Sequence, residues 1–395
     1  MNTGVQSYIL LVPILVVFLA LEVFLIRRRG GTIDRREYLQ NVTLSFGMAI
    51  VDLLVMGAIF SVYAAILPFS LFEIKPTPAV YLGSLLLVDF VFYWAHVVGH
   101  RFPFFWPVHS VHHQVKEYNL SAGFRQPWFH KTNAFLFFFI LAFIGIPIPV
   151  LSSVYAVVVV SQFWLHTETI PREIPVLSWI VMTPTQHRVH HGTNPEYLDR
   201  NFGVLFSFWD RIFGTYTPER APVHYGVSDE FDQSNVFWVN IFPWLVFGRR
   251  LRAAIREGRG FAYFFGMYRS PLVVEDPYRK WPIVDRPEGY VETTIYSAGY
   301  FFAQNSILAG LAIFCITSPL PFVSQMILGL SILVSFGWIG LLYDRKRVPP
   351  GAEPLRIALY AGALGFLRPE LAFVFLVAEF AVWTAFRFPR RSLAR

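Results

Sequence analysis

The chain alternates long apolar runs with short polar breaks, and several runs reach the 20 or so residues that a helix needs to cross a bilayer. The first run, about residues 8–26, is followed by Arg27, Arg28, Arg29, Arg35 and Arg36, while residues 1–7 carry no charge. A cleaved leader has the opposite polarity, so this pattern predicts a retained anchor. A second span is expected over about 42–67 and a third over about 82–98, on either side of a proline-containing loop. Two shorter apolar pieces, about 134–147 and 150–165, predict a tilted or partly inserted hairpin that turns at 145–149. Residues 166–292 have ordinary polarity, with Arg249, Arg250, Arg252, Arg256 and Arg259 near their middle, and predict a cytoplasmic cap. Apolar runs then return at about 294–316 and 322–342, followed by a final pair within 355–388 that breaks near Arg368. The expected fold is all-α, a polytopic integral membrane helical bundle. Its expected parts are N-terminal transmembrane helices (1–78), a histidine-rich core (79–230), a polar cap or linker (231–292) and a C-terminal transmembrane bundle (293–395).

Composition agrees with lipid as the solvent. Of 395 residues 55% are hydrophobic and 15% charged, against roughly 25% charged in a soluble domain. Cys315 is the single cysteine and lies in an apolar run, which excludes a disulfide scaffold. The net charge of +7 invites a nucleic-acid reading. Threading the spans, however, leaves only Lys75 and Arg368 outside and every other Lys and Arg on the cytoplasmic side or at its edge. The charge is therefore read as a marker of topology, with no nucleic-acid partner.

Histidine is the residue that needs an account. Eight of the eleven fall in three clusters: His96 and His100, then His109, His112 and His113, then His187, His190 and His191. Side chains three and four apart share a helix face, and adjacent ones splay by about 100°, so a His-x-x-His-His turn can serve two ions at once. With His166 the set reaches nine imidazoles, too many for one ion of about four to six ligands. Two metals on the cytoplasmic face are expected. Imidazole suits zinc, copper, iron or nickel, but the His-Glu-x-x-His motif of many zinc hydrolases is absent. A redox pair of irons activating O2 can use such a histidine-rich shell at the membrane surface, where an acyl chain would enter from the lipid, but ligand type alone does not decide the metal. Asp89 lies in an apolar run one heptad before His96, and Tyr93 shares its stripe. Both are expected to hold imidazoles in the ligand tautomer. His130 and His224 lie outside the clusters, and Asp52 and Glu379 far from them; none of these four receives a role. The competing class is a histidine-rich metal-ion transporter or sensor. It would place its ligands near the bilayer midplane with acidic partners, whereas Arg101 and Arg188 flank these clusters.

The order of the three clusters between paired apolar spans resembles the fatty acid hydroxylase and sterol desaturase superfamily. Four strings are similar to its alkylglycerol monooxygenase branch: Glu117-Tyr-Asn-Leu-Ser121 running on to Arg125-Gln126, Gln162-Phe-Trp-Leu-His-Thr-Glu168, Thr183-Pro to His187-Arg-Val-His-His-Gly192, and Trp209-Asp-Arg-Ile-Phe-Gly-Thr-Tyr216. The resemblance implies a non-haem di-iron centre held by the eight clustered histidines, joined by His166. It also implies use of O2 and an electron donor to oxidise a C–H bond of a membrane lipid. In that branch the carbon next to an ether oxygen is hydroxylated, the product falls to an aldehyde and a glycerol derivative, and tetrahydrobiopterin is the reductant. Among matched positions, Asn119 and Arg125 would orient a headgroup or a ligand, and Glu168 would support His166. One departure bears on the ether substrate and the pterin: the branch has an acidic residue after the second histidine of the first cluster, and this chain has Arg101.

Overall fold

A computed structural model describes residues 3–227, 235–266, 298–343 and 352–386. Every regular element among them is helical, and the one β contact is an isolated bridge between Val181 and Phe206. Helix α1 covers Thr3–Arg28, α2 Arg35–Ile66 and α3 Pro78–Arg101. Local chemistry sets these boundaries. The Asp34 side chain accepts the backbone N–H groups of Arg36 and Glu37 to start α2, and Thr77 caps α3 ahead of Pro78. The short α4 (Trp106–His113) follows, then a 3₁₀ turn over Leu120–Phe124, α5 (His130–Ile144) and α6 (Ile148–Phe163). Gly145 makes the α5–α6 reversal at φ +106°; a Cβ there would lie 2.0 Å from the Phe72 carbonyl oxygen, so no other residue fits. The polar segment holds α7 (Leu177–Ile180), α8 (Pro184–His190), α9 (Phe208–Ile212), α10 (Val236–Arg256) and α11 (Gly260–Phe265). Helices α12 (Ala298–Thr317), α13 (Phe322–Tyr343), α14 (Ala352–Leu367) and α15 (Pro369–Phe386) complete the described chain.

Among the described residues four stretches are long and apolar enough to cross a membrane: Arg35–Phe69, Pro78–Arg101, Gly299–Thr317 and Phe322–Leu341. Helices α5 and α6 are shorter apolar elements, and the break at Arg368 separates α14 from α15. The part of the expected cap over 267–292 lies outside the described residues, as does the basic loop Arg345 to Arg347.

Two apolar cores meet on α2, which is apolar around its whole circumference and so can bury opposite sides. Its first half, through Leu44, Ile50 and Val51, packs with α10 and α12–α15; its second half, through Ile59 and Tyr63, packs with α3, α5 and α6. Charges inside these apolar layers are paired, as the cost of an isolated charge there requires. Asp52 meets Lys131 at 2.5 Å. Arg356 binds Glu353 at 2.7 Å, Glu379 at 3.2 Å and Gln304 at 2.7 Å, which ties α12, α14 and α15.

The helices alternate in direction, so the end of α1, the start of α2, the end of α3, the start of α5 and the end of α6 gather at one level. Contacts there are explicit. Arg29 Nη1 donates to the Thr169 carbonyl at 3.2 Å, the Asp34 N–H to Glu117 at 2.8 Å, and the Leu120 N–H and the Thr167 hydroxyl to the Glu22 carboxylate. The arginine-rich end of the bundle is therefore also the end that carries the histidines. Lys75 occupies the α2–α3 connection at the opposite end.

Candidate metal centre

Helix α3 supplies His96 and His100 from its last turns, α4 supplies His109, His112 and His113, the turn after α6 supplies His166, and α8 with its C-cap supplies His187, His190 and His191. Helix α8 forms where it does because Thr183 and Gln186 make a reciprocal capping box with Pro184 at N1. All nine imidazoles are buried. They divide into two groups, His96, His100, His109, His113 and His190 in one and His112, His166, His187 and His191 in the other, with ligand atoms within 4.8 Å of one another inside each. Neighbours His112 and His113 enter different groups, and so do His190 and His191. His109 with His113 and His187 with His191, four apart, stay together.

Backbone carbonyls fix four of the tautomers. His96 Nδ1 is 2.9 Å from the Phe202 oxygen, His112 Nδ1 3.1 Å from Arg125, His166 Nδ1 2.9 Å from Gln162 and His190 Nδ1 3.0 Å from Arg200. A carbonyl only accepts, so each Nδ1 carries the proton and each Nε2 presents a lone pair. These lone pairs converge: His112 Nε2 lies 3.2 Å from His166 Nε2, which is itself 3.1 Å from His187 Nε2. In the other group His109 Nε2 is 3.0 Å from His96 Nε2 and 3.1 Å from His113 Nε2. Both nitrogens of His100 and His191, with His187 Nδ1 and His190 Nε2, are buried without a hydrogen-bond partner. Each such atom costs about 1–3 kcal/mol if nothing binds it. Facing lone pairs and unpartnered ring nitrogens are what a cation in each group would satisfy, so the residues present fit two metal ions. Burial, reinforced by repulsion between neighbouring rings, pushes His109, His112, His113, His187, His190 and His191 well below the ordinary 6.5, and burial takes His166 to about 4. The rings are neutral, which is the ligand form.

The expected supporting residues sit nearby but act differently. Among the described residues Asp89 forms no hydrogen bond with an imidazole. Its carboxylate accepts the N–H groups of Leu205 (2.8 Å) and Phe206 (3.1 Å) and the Trp209 indole N–H (2.9 Å), which corrects the expectation drawn from the shared helix stripe. Tyr93 bonds Thr215 at 2.8 Å, again away from the imidazoles. Both anchor the 202–215 segment, and that segment presents the Phe202 carbonyl to His96. Asn119 caps the 3₁₀ turn, accepting from the Ser121 N–H and hydroxyl. Arg125 donates to Val111, Gln40, Asn41 and Gln114, so its guanidinium is engaged inside the protein, and its own carbonyl holds His112. Glu168 is exposed and accepts the Tyr225 hydroxyl at 2.7 Å; Tyr225 stacks on Tyr118, whose ring lies against His166 and His191.

Other contributors carried little sequence signal. Asp210, inside the Trp209 to Tyr216 string, accepts the Phe202 and Gly203 N–H groups and the Thr215 hydroxyl, and burial raises it to about 6. Asp199 puts Oδ1 3.8 Å from His100 Nδ1. His130 belongs to neither group, yet with Phe92, Ala95, Gln126 and Ala134 it lines a small cavity that reaches His96 and His109 of one group and His112 and His187 of the other. Among the described residues His224 forms hydrogen bonds through its backbone, with Thr193 and Asn194.

Comparison with known proteins points the same way. Residues 81–215 match the fatty acid hydroxylase family model. Alkylglycerol monooxygenase of Xenopus tropicalis is 39% identical over 162 residues, 40% of this chain and 35% of that protein. The human enzyme of the same name is 36% identical over 179 residues, 43% of this chain and 39% of that protein. The ornithine lipid hydroxylase OlsE of Rhizobium tropici is 29% identical over 138 residues, 34% of this chain and 40% of that protein. The chain thus spans about two fifths or less of the length of these curated relatives. No solved structure matches it.

Proposed function

We propose that this chain, with its fatty acid hydroxylase segment at residues 81–215, is an integral membrane monooxygenase that hydroxylates a C–H bond of a lipid. The carrying observation is the pair of buried all-imidazole groups opening on one cavity. His96, His100, His109, His113 and His190 would hold one iron, and His112, His166, His187 and His191 the other. When bound, the iron pair supplies the redox chemistry that takes O2 to one inserted oxygen and one water, with two electrons and two protons from an external donor. The protein's own part is positional. The carbonyls of Phe202, Arg125, Gln162 and Arg200 hold four rings with Nε2 inward. Phe92, Ala95 and Ala134 give the cavity an apolar wall that excludes water, and His130, Gln126 and Gln162 add polar side chains at its edge. Asp89 and Asp210 fix the segment that carries Phe202.

The arginine-rich end of the bundle supports a cytoplasmic location for the histidine layer and hence a cytoplasmic electron donor. Alkylglycerol monooxygenases are named for ether lipids and OlsE for an aminolipid. Arg101, which departs from the pattern of the resembling branch, keeps the reading at a lipid C–H bond, with tetrahydrobiopterin as one reductant to be tried. Transport is disfavoured because each group is wholly imidazole and lies at one end of the spans.

The test compares lipid extracts of cells with and without the gene by mass spectrometry, alongside O2 consumption by the purified protein. A lipid class that gains one oxygen, or an ether lipid that disappears, is expected. Loss of two hydrogens would redirect the reading to desaturation. Metal flux in proteoliposomes without O2 consumption would overturn the enzyme.

A further inference from the structure

Between His166 and α8 the chain makes an excursion whose apolar side chains over 174–180 are exposed, while Ser178 is buried. Val176 is 74% exposed and Trp179 65%, with Leu177 and Ile180 also exposed. Val176 sits at φ +67° in a tight turn closed by the Leu177 N–H on the Pro175 carbonyl at 2.8 Å, a backbone state that β-branched residues rarely adopt. A second excursion, α9 and the residue after it, exposes Ile212 (62%) and Phe213. The two are one body. The Met182 N–H donates to Leu205 at 2.9 Å, the Ser207 N–H to Ile180 at 3.1 Å and the Ser207 hydroxyl to Ser178 at 2.7 Å. A contiguous apolar surface of this kind marks an interaction site.

Its occupant follows from its height. The body is fastened to α3 through Asp89, which lies seven residues, about 10 Å, from His96 toward the interior of the span. Around that anchor Phe90 meets Trp209 at 5.1 Å and Trp94 meets Phe213 at 5.0 Å. Trp94, Leu86 and Leu82 are themselves exposed along α3, so the patch continues the flank that this spanning helix turns to lipid. At its edge the Arg211 guanidinium is framed by Trp179, 4.4 Å away, and Tyr216, 3.9 Å away. Among the described residues its hydrogen bonds run only through Nη1, to the Ser207 carbonyl and hydroxyl at 3.4 Å, so Nε and Nη2 are left for an outside acceptor. A guanidinium fork at the rim of an apolar, tryptophan-bearing surface suits a phosphate oxygen at headgroup level.

We propose that residues 174–180 and 209–213 dip into the leaflet on the histidine side, with Arg211 bound to a phospholipid phosphate. For these residues the water-facing cap expected from polarity gives way to a half-immersed element. The chain between the two stretches carries the Phe202 carbonyl that orients His96, so their seat in the lipid and the geometry of the metal groups are linked.

The test uses the full chain in phosphatidylcholine nanodiscs, with Cys315→Ser and single cysteines at Trp179→Cys, Ile212→Cys and, as an aqueous control, Glu196→Cys, each carrying an environment-sensitive fluorophore. Labels at 179 and 212 should be quenched by a lipid with a shallow nitroxide several-fold more than by a soluble quencher, and the label at 196 should show the reverse. Labels at 179 and 212 that behave like 196 would overturn the insertion. For the phosphate, Arg211→Gln and a phosphate-free galactolipid disc should each move the label at 212 toward water to the same extent, with no further shift when combined. An unmoved label would overturn the phosphate contact. Near-ultraviolet circular dichroism of every variant separates these outcomes from misfolding.

Discussion

At the residue scale the decisive feature is where each imidazole sends its two nitrogens. His112 and His190 each donate Nδ1–H to a carbonyl and sit in different groups, so each reports on a different ion. His112→Ala takes one of four ligands and should leave about one iron per chain by elemental analysis, with turnover down by more than the 10–100-fold typical of losing an outer partner of a ligand. His190→Ala takes one of five and should lower the other occupancy with the same loss of turnover. Full activity of either variant would remove the metal assignment. His100 differs from these, because it has no carbonyl and faces Asp199 instead. At 3.8 Å the pair is not hydrogen-bonded, but the nearby carboxylate favours a proton on Nδ1 electrostatically and so leaves the other nitrogen for a metal. Asp199→Asn should weaken iron binding about 10-fold in a competition titration, and Asp199→Glu should recover part of it.

At the element scale the site depends on how α9 and the loop before it are fastened to α3. Asp89→Ala would leave three donors unpartnered in an apolar layer, a loss of about 3–5 kcal/mol. The expected result is a lower unfolding temperature in detergent together with reduced iron retention, since Phe202 loses its support. Asp89→Asn keeps an acceptor and should fall between. Gly145→Ala tests the other reversal: with a carbonyl oxygen 2.0 Å from the new Cβ, little folded protein should be recovered by size-exclusion chromatography. These elements also show how far a sequence can be read. The clusters at 109–113 and 187–191 were legible because ligand geometry there is local, fixed by helical spacing alone. Apolar runs locate the helices but not their ends: α2, expected over about 42–67, begins at Arg35, and α3, expected over about 82–98, begins at Pro78, because the caps Asp34 and Thr77 are polar and lie outside the runs. The role of Asp89 was not legible, because its partners arrive 116 to 120 residues later. Arg125 is expected to orient a headgroup or a ligand; its guanidinium is engaged by Gln40 and Asn41, more than 80 residues earlier, while its carbonyl meets His112. Carbonyl partners such as Phe202 and Arg200 carry no side-chain signature at all.

At the scale of the whole molecule, the reductant and the membrane face go together. Arg27, Arg28 and Arg29 end α1 within reach of the 165–169 turn that holds His166, and Arg35 and Arg36 open α2 beside the 116–125 loop. Basic residues this close to span ends favour the cytoplasmic side, so the histidine layer should face the cell's electron donors, and the loop with Glu73 and Lys75 should face out. A cysteine at exposed Glu73, in the Cys315→Ser background, should react with a membrane-impermeant maleimide in intact cells. One at exposed Arg29 should react only after permeabilisation. The reverse pattern would invert the bundle and require an electron donor outside the cell, while leaving the imidazole groups as they are. The orientation also fixes which leaflet is available. Substrate is expected to reach the cavity lined by Phe92, Ala95, His130 and Ala134 from the leaflet on the histidine side. Lipid that must first cross from the other leaflet would be oxidised only as fast as it flips. Liposomes with substrate confined to one leaflet should therefore show turnover with the leaflet on the Arg29 side and a lag with the other. Equal initial rates from both leaflets would rule out supply from the histidine-side leaflet.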